Sequence, residues 1–264
     1  MSMPSFSLED KVAIVTGGGS GIGRGIALRF AEAGANVIVA SRRLSVLKKV
    51  AEELKALGRR SLAIQTDVSQ RGDVDNLIQT VMAEFERVDI LVNNAGIAYS
   101  VPFIEMTDDL RDRIWDINMK GVWDCTKAVI PSMIKQKYGK IINISSVTGP
   151  MVSGKGLTAY SASKGAVSGF TRALALEVAR YGINVNAICP GYVDTPMLRP
   201  NSAKMGTDPN DFIKKFAKSI PLGRLGSIEE IGDLAVFLAS EASKYITGTE
   251  IVFDGGSIIQ EYKG

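Results

Sequence analysis

The sequence predicts an α/β fold: a doubly wound sheet of seven parallel strands with helices on both faces. Three observations carry this. Seven short apolar runs rich in β-branched residues, at 12–16, 36–40, 61–66, 90–92, 140–144, 184–188 and 250–252, alternate with longer amphipathic segments. The runs are mostly apolar rather than strictly alternating, as strands covered on both faces are. Gly34, Gly58 and Gly182 stand where helices should stop, as C-cap glycines do. The 264 residues show no repeat, low-complexity tract or linker, so one domain over 1–264 is expected.

The first strand, 12–16, runs directly into Gly17-Gly18-Gly19-Ser20-Gly21-Ile22-Gly23, which opens the helix 22–33. Glycines at a strand-to-helix turn allow close approach of backbone to a pyrophosphate. The helix N-terminus adds oriented N–H groups and positive potential. The second strand, 36–40, ends in Ser41-Arg42-Arg43 before the helix 44–57. No carboxylate stands there to bind a ribose 2′-hydroxyl or to repel a 2′-phosphate. Arg42 offers a planar guanidinium suited to phosphate, and Arg43 adds charge. NADP(H) is therefore the expected cofactor, with NAD(H) the alternative. The third strand, 61–66, leads through Asp67 and Val68 to the helix 70–86, for which Ser69 is the best N-cap.

The fourth strand, 90–92, is followed by Asn93-Asn94-Ala95-Gly96, residues that also suit an ordinary turn. A long helix is predicted over 108–137. Within it Asn118 lies between Ile117 and Met119, a half-buried setting in which it needs partners. The fifth strand, 140–144, ends in Ser145-Ser146. The helix 158–180 carries Tyr160 and Lys164, which share one face at i and i+4. A free tyrosine has a pKa near ~10. A fixed cation beside it favours the phenolate, which makes Tyr160 a candidate proton donor and acceptor. By itself such a pair also decorates any amphipathic helix. The sixth strand, 184–188, leads to Pro190-Gly191. Pro196, Pro200, Pro209 and Pro221 then interrupt 194–222, an excursion from the sheet with a short helix at 211–218. The helix 227–239, the strand 250–252 and Asp254-Gly255-Gly256 close the chain.

Composition narrows the chemistry. Histidine is absent, which removes Ser-His-Asp and Cys-His catalysis and most zinc sites. No metal is expected. Cys125 and Cys189 fit neither a metal nor a redox spacing, so a reducing cytosol and a cytoplasmic location are expected. The net charge of +3 is scattered, so nucleic acid is not implied. No basic, then apolar leader opens the chain, and no apolar run is long enough for a membrane span.

These motifs, in this order, resemble the classical short-chain dehydrogenase/reductase family, nearest the 3-oxoacyl-carrier-protein reductase and glucose dehydrogenase-like branch. The match runs from about residue 8 to 257. The Gly17 to Gly23 loop has that family's G-x-x-x-G-x-G spacing rather than G-x-G-x-x-G, and Asn93 to Gly96 reads as its N-N-A-G. The resemblance implies a Rossmann fold and a catalytic set of Asn118, Ser146, Tyr160 and Lys164. It implies that Gly17, Ser20, Gly21, Ile22, Gly23, Ser41, Arg42, Arg43, Asp67, Val68, Asn94, Ala95, Gly96, Tyr160, Lys164, Pro190, Gly191, Val193 and Thr195 bind the cofactor. Asp67 would meet the adenine in the family, yet it reads equally well as a turn residue. Members with S-R-R after the second strand usually prefer NADP. Ser20 departs from the Lys or Arg that many of those members carry.

The implied activity is hydride transfer between the nicotinamide and a ketone or secondary alcohol of a small molecule. Tyr160 would protonate the carbonyl oxygen and Ser146 would hydrogen-bond it. Lys164 would hold the ribose and lower the pKa of Tyr160, and Asn118 would hold a water that relays protons to Lys164. Ile97, Tyr99, Met151, Val152, Tyr192 and Met197 should line a mostly apolar pocket. The alternatives are a 3-oxoacyl-carrier-protein reductase and a catalytically silent nucleotide-binding scaffold. Family members of this size are usually homotetramers. Apolar Ile114, Trp115, Val122 and Trp123 around the long helix, and the apolar tail at Ile258-Ile259, point to the same assembly.

Overall fold

The chain, seen in a computed structural model that describes residues 6–196 and 209–261, folds around one parallel sheet. Its strands are β1 (Val12–Thr16), β2 (Asn36–Ser41), β3 (Ser61–Gln65), β4 (Ile90–Asn93), β5 (Gly139–Ile144), β6 (Ile183–Pro190) and β7 (Glu250–Phe253). They lie in the order β3-β2-β1-β4-β5-β6-β7, every pair parallel. Each expected strand is present and the seven-stranded doubly wound architecture holds.

The helices are α1 (Gly21–Glu32), α2 (Leu44–Ala56), α3 (Arg71–Phe85), α4 (Asp108–Trp115), α5 (Gly121–Gln136), α6 (Thr158–Val178), α7 (Pro209–Lys218) and α8 (Ile228–Ala239). Strand alternation sorts them into two layers. Ala13 and Val15 of β1 point into a core with Phe30 of α1, Leu54 of α2 and Leu238 of α8. Val12 and Ile14 point the other way, to Leu77 of α3, Val129 of α5 and Val178 of α6. Two buried faces explain why β1 is apolar at four of its positions and fully buried at all five.

The long helix expected over 108–137 is not continuous. A π turn, Asp116–Lys120, separates α4 from α5. Just after it, Gly121 lets the backbone approach Val68, whose Cγ2 would lie 2.7 Å from an added Cβ. Gln70, not Ser69, is the N-cap of α3. The short helix of the excursion forms as α7. Met197, Arg199, Pro200, Lys204 and Asp208 lie outside the described residues.

The strand order reverses between β1 and β4. At such a point the connections diverge to opposite faces and leave a crevice at the carboxyl ends of the strands. The turn after β1 and the segments after β4, β5 and β6 all meet there.

Candidate active site

Thr16, the last residue of β1, organises the dinucleotide end of this crevice. Its hydroxyl donates to the Val92 carbonyl at 3.2 Å and accepts from the N–H groups of Asn94 and Ala95 at 3.0 and 3.1 Å. The Asn94 side-chain amide donates to the Thr16 carbonyl at 2.9 Å. These bonds hold the Gly-rich turn against the segment after β4. Gly17 has φ +66°, and a Cβ there would lie 2.7 Å from Asn94 Nδ2. The residue is glycine for both conformation and space. Gly21 sits beneath Thr195, at 3.4 Å from an added Cβ to the Thr195 Cβ. Thr195 and Val193 are buried, the latter bridged to Gly226. Ile22 packs on the core.

This arrangement fits a dinucleotide on the chain's own features. Ser20 makes no capping bond from its side chain, and the first turn of α1 holds no acidic residue. The first N–H groups of α1 are therefore not capped by a side chain and suit an anion. At the outer end Arg42, Asp67, Ser69 and Ile117 line a cleft of about 360 Å³. The Arg42 side chain makes no ion pair or hydrogen bond among the described residues. Ser41 lies beside Gly19, and Arg43 opens α2. Asp67 builds a turn: its Oδ1 accepts from the N–H and the hydroxyl of Ser69 at 3.0 and 2.7 Å. Val68 is buried against Gly121 rather than open to the cleft. Pro190 ends β6, and Gly191 follows with its backbone close against Asp254.

The four expected catalytic residues converge beyond this end. Lys164 is buried on α6, and its Nζ donates to the Ile144 carbonyl at the end of β5, at 2.7 Å. Its ammonium lies 5.9 Å from the centroid of the Tyr160 ring. Ser146 Oγ accepts from the Thr148 N–H at 3.0 Å and also meets the Tyr160 hydroxyl. Asn118 sits in the π turn, fully buried. It accepts from the Ile97 N–H at 2.9 Å and donates to the Ile97 carbonyl at 3.0 Å and to Ser163 Oγ at 3.1 Å. An added Cβ on Gly96 would lie 3.4 Å from Asn118 Oδ1 and 3.6 Å from Lys164 Nζ. Gly96 therefore keeps open the space between them.

The electrostatics correct one expectation. Burial pushes the Tyr160 phenol above its ordinary pKa, and the Ser146 hydrogen bond opposes this only in part. The Lys164 ammonium is itself desolvated, and its pKa falls to about 8. The ammonium is held against the Ile144 carbonyl, and for the phenol burial is the larger effect.

Ser163 was not singled out by sequence. It joins α6 to the π turn, donating to the Tyr160 carbonyl at 2.7 Å and accepting from Asn118. Its place directly before Lys164 gave no signal separable from helix composition. Behind it a buried chain runs from Thr126 through Asn93 and Asn143 to Thr171, each link 2.9 Å. Asn93 thus braces β4, β5, α5 and α6 rather than building a turn. Tyr99, Met151 and Val152 are more than a third exposed. The rings of Tyr192 and Phe216 stand 4.5 Å apart, which brings α7 against the segment after β6.

A family model, short chain dehydrogenase, matches residues 11–206. The oxidoreductase UcpA of Escherichia coli (strain K12) is 47% identical over 255 residues, spanning 96% of this chain and 97% of that protein. The 3-oxoacyl-[acyl-carrier-protein] reductase FabG of Thermotoga maritima is 38% identical over 254 residues, spanning 96% and 99%. A crystal structure from Beutenbergia cavernae with NADP bound at low occupancy superposes with a TM-score of 0.89 at 36% identity, covering 97% of this chain and all of that one. The chain belongs to the short-chain dehydrogenase family. It is an NAD(P)-dependent dehydrogenase/reductase with the Rossmann-like sheet of that family.

Proposed function

We propose that this enzyme prefers NADP(H) and interconverts a ketone and a secondary alcohol of a small molecule, with Tyr160 as the proton donor in reduction. One observation carries the reading: Ser146, Tyr160, Lys164 and Asn118, from three separate segments, meet at the carboxyl ends of β4 and β5 beside the Gly-rich turn. The bound nicotinamide supplies the hydride. The remaining work falls to the chain. The first turn of α1 and Thr195 hold the pyrophosphate, and Arg42 holds the 2′-phosphate. Ser146 Oγ donates to the substrate oxygen and offsets its developing charge. The Tyr160 hydroxyl, kept protonated by burial, delivers its proton to that oxygen. Lys164 holds the ribose, and Asn118 keeps the segment after β4 at the right height through Ile97. The substrate enters past Tyr99, Met151, Val152 and Tyr192, so an apolar body beside the carbonyl is favoured.

No helix among the described residues is long and apolar enough to cross a membrane. Oxidation of NADPH and of NADH in the presence of ketones, sugars and acyl thioesters tests the proposal. Turnover confined to acyl thioesters would favour a 3-oxoacyl-carrier-protein reductase. No turnover with any member of the panel would favour a binding scaffold.

A further inference from the structure

The cleft beside Arg42 has a second wall that sequence reading did not anticipate. Asp109, Asp112, Arg113 and Asp116 line it from α4 and the first residue of the π turn. They stand at i, i+3, i+4 and i+7, so one charged stripe of a helix faces the cleft. Their bonding differs. Asp112 is held by Arg111 Nε at 2.7 Å, which lowers its pKa. The side chains of Arg113, Asp109 and Asp116 make no ion pair or hydrogen bond among the described residues, and neither does that of Arg42. The cleft therefore presents free guanidinium groups on both walls and free carboxylates on one. Free charges around a small cleft act on whatever charge enters it.

We propose that the α4 stripe sets how strongly this enzyme discriminates between the phosphorylated and unphosphorylated dinucleotides: Arg113 attracts a 2′-phosphate together with Arg42, and Asp109 and Asp116 oppose it. This rests on reading the cleft as the adenosine end of the cofactor site. The two effects act on the same group with opposite sign, so the preference that Arg42 would give alone is moderated. A phosphate at the ribose 2′ position carries the charge these residues sense, and a hydroxyl there does not. The stripe thus moves NADPH affinity and leaves NADH affinity nearly fixed. Salt weakens the effect, because all four free groups are exposed.

The test is direct titration of NADPH and NADH, followed by cofactor fluorescence, with the purified wild type and four variants at low and high salt. Asp116→Asn and Asp109→Asn should each tighten NADPH by roughly threefold to fivefold, as expected of an exposed charge contact. Arg113→Ala should weaken it by a similar factor. NADH should change by less than about twofold in all three, on the same scale. Asp108→Asn is the control, since Asp108 is paired with Arg111 and is not in the cleft lining. Equal shifts for both cofactors, no shift in any cleft variant, or an Asp108→Asn shift as large as that of Asp116→Asn would overturn the inference. If the wild type bound neither dinucleotide, the cofactor-site reading would fall first and this inference with it.

Discussion

Burial acts on Tyr160 and Lys164, one helical turn apart on α6, favouring the neutral form of each and so shifting their pKa values in opposite directions. It holds the phenol protonated and draws the ammonium toward neutrality. Tyr160→Phe removes only the phenolic proton and should lower kcat by about 10² to 10⁴, while NADPH still binds. Wild-type kcat in that variant would refute the proton-donor role. Lys164 leads to a stability prediction. Its pKa falls from 10.5 in the unfolded chain to about 8 in the folded one. Between those values the unfolded chain binds more protons at this position, so the contribution of Lys164 to stability rises with pH through that window. Denaturant melts of wild type and Lys164→Met from pH 7.5 to 10 should show the wild type gaining on the variant. A constant difference would show that Lys164 does not titrate there. At the other end of the site, Arg42→Ala should cost about tenfold in NADPH affinity. NADH binding should hardly change, and equal losses for both would remove Arg42 from the phosphate site.

The π turn between α4 and α5 is the element on which the site depends. An uninterrupted α-helix would carry each residue 100° further round, and Asn118 would not meet both polar groups of the Ile97 backbone. Asn118→Ala would leave that N–H and carbonyl without partners, at a cost of about 1–3 kcal/mol. For a chain of this length that is a Tm lower by about 2–4 °C per kcal/mol, together with a fall in kcat as the segment after β4 shifts. Asn118→Asp keeps the acceptor and loses the donors, so it should fall between. An unchanged melting temperature in Asn118→Ala would show that Ile97 is held by something else.

At the scale of the molecule, α4, α5 and α6 carry apolar surface that the described residues do not cover. Trp115 and Trp123 are 37% and 51% exposed and Leu176 is 84% exposed, whereas Ile114 and Val122 are buried in the core. The rings of Trp123 and Phe170 stand 5.4 Å apart across the two helices. Ile259 beyond β7 is 84% exposed. We propose that this surface is an interface between copies of the chain, since apolar surface on adjacent elements is what such interfaces cover and closed two-fold symmetry is the usual solution. Light scattering should give a mass near four times the 28.3 kDa of one chain. Trp123→Glu should lower it. A mass near 28.3 kDa for the wild type would exclude the assembly.

The sequence by itself determined the alternation of strand and helix and the glycine turn after β1, and its motifs named Asn118, Ser146, Tyr160 and Lys164 as the candidate catalytic set. The first two signals are local, since a buried strand is mostly apolar and a left-handed turn favours glycine; the catalytic set was legible through the order of the motifs. The tertiary structure decided what depends on neighbours distant in sequence. It broke the helix at Asn118, because Ile97 offers that side chain two backbone bonds that an unbroken helix would forgo. It gave Asp67 to Ser69, made Asn93 a brace between layers, and aimed the α4 stripe at Arg42. It also reversed the expected shift of Tyr160. A pKa answers to solvent exclusion and to the distance of every nearby charge, and neither is fixed until the chain has folded.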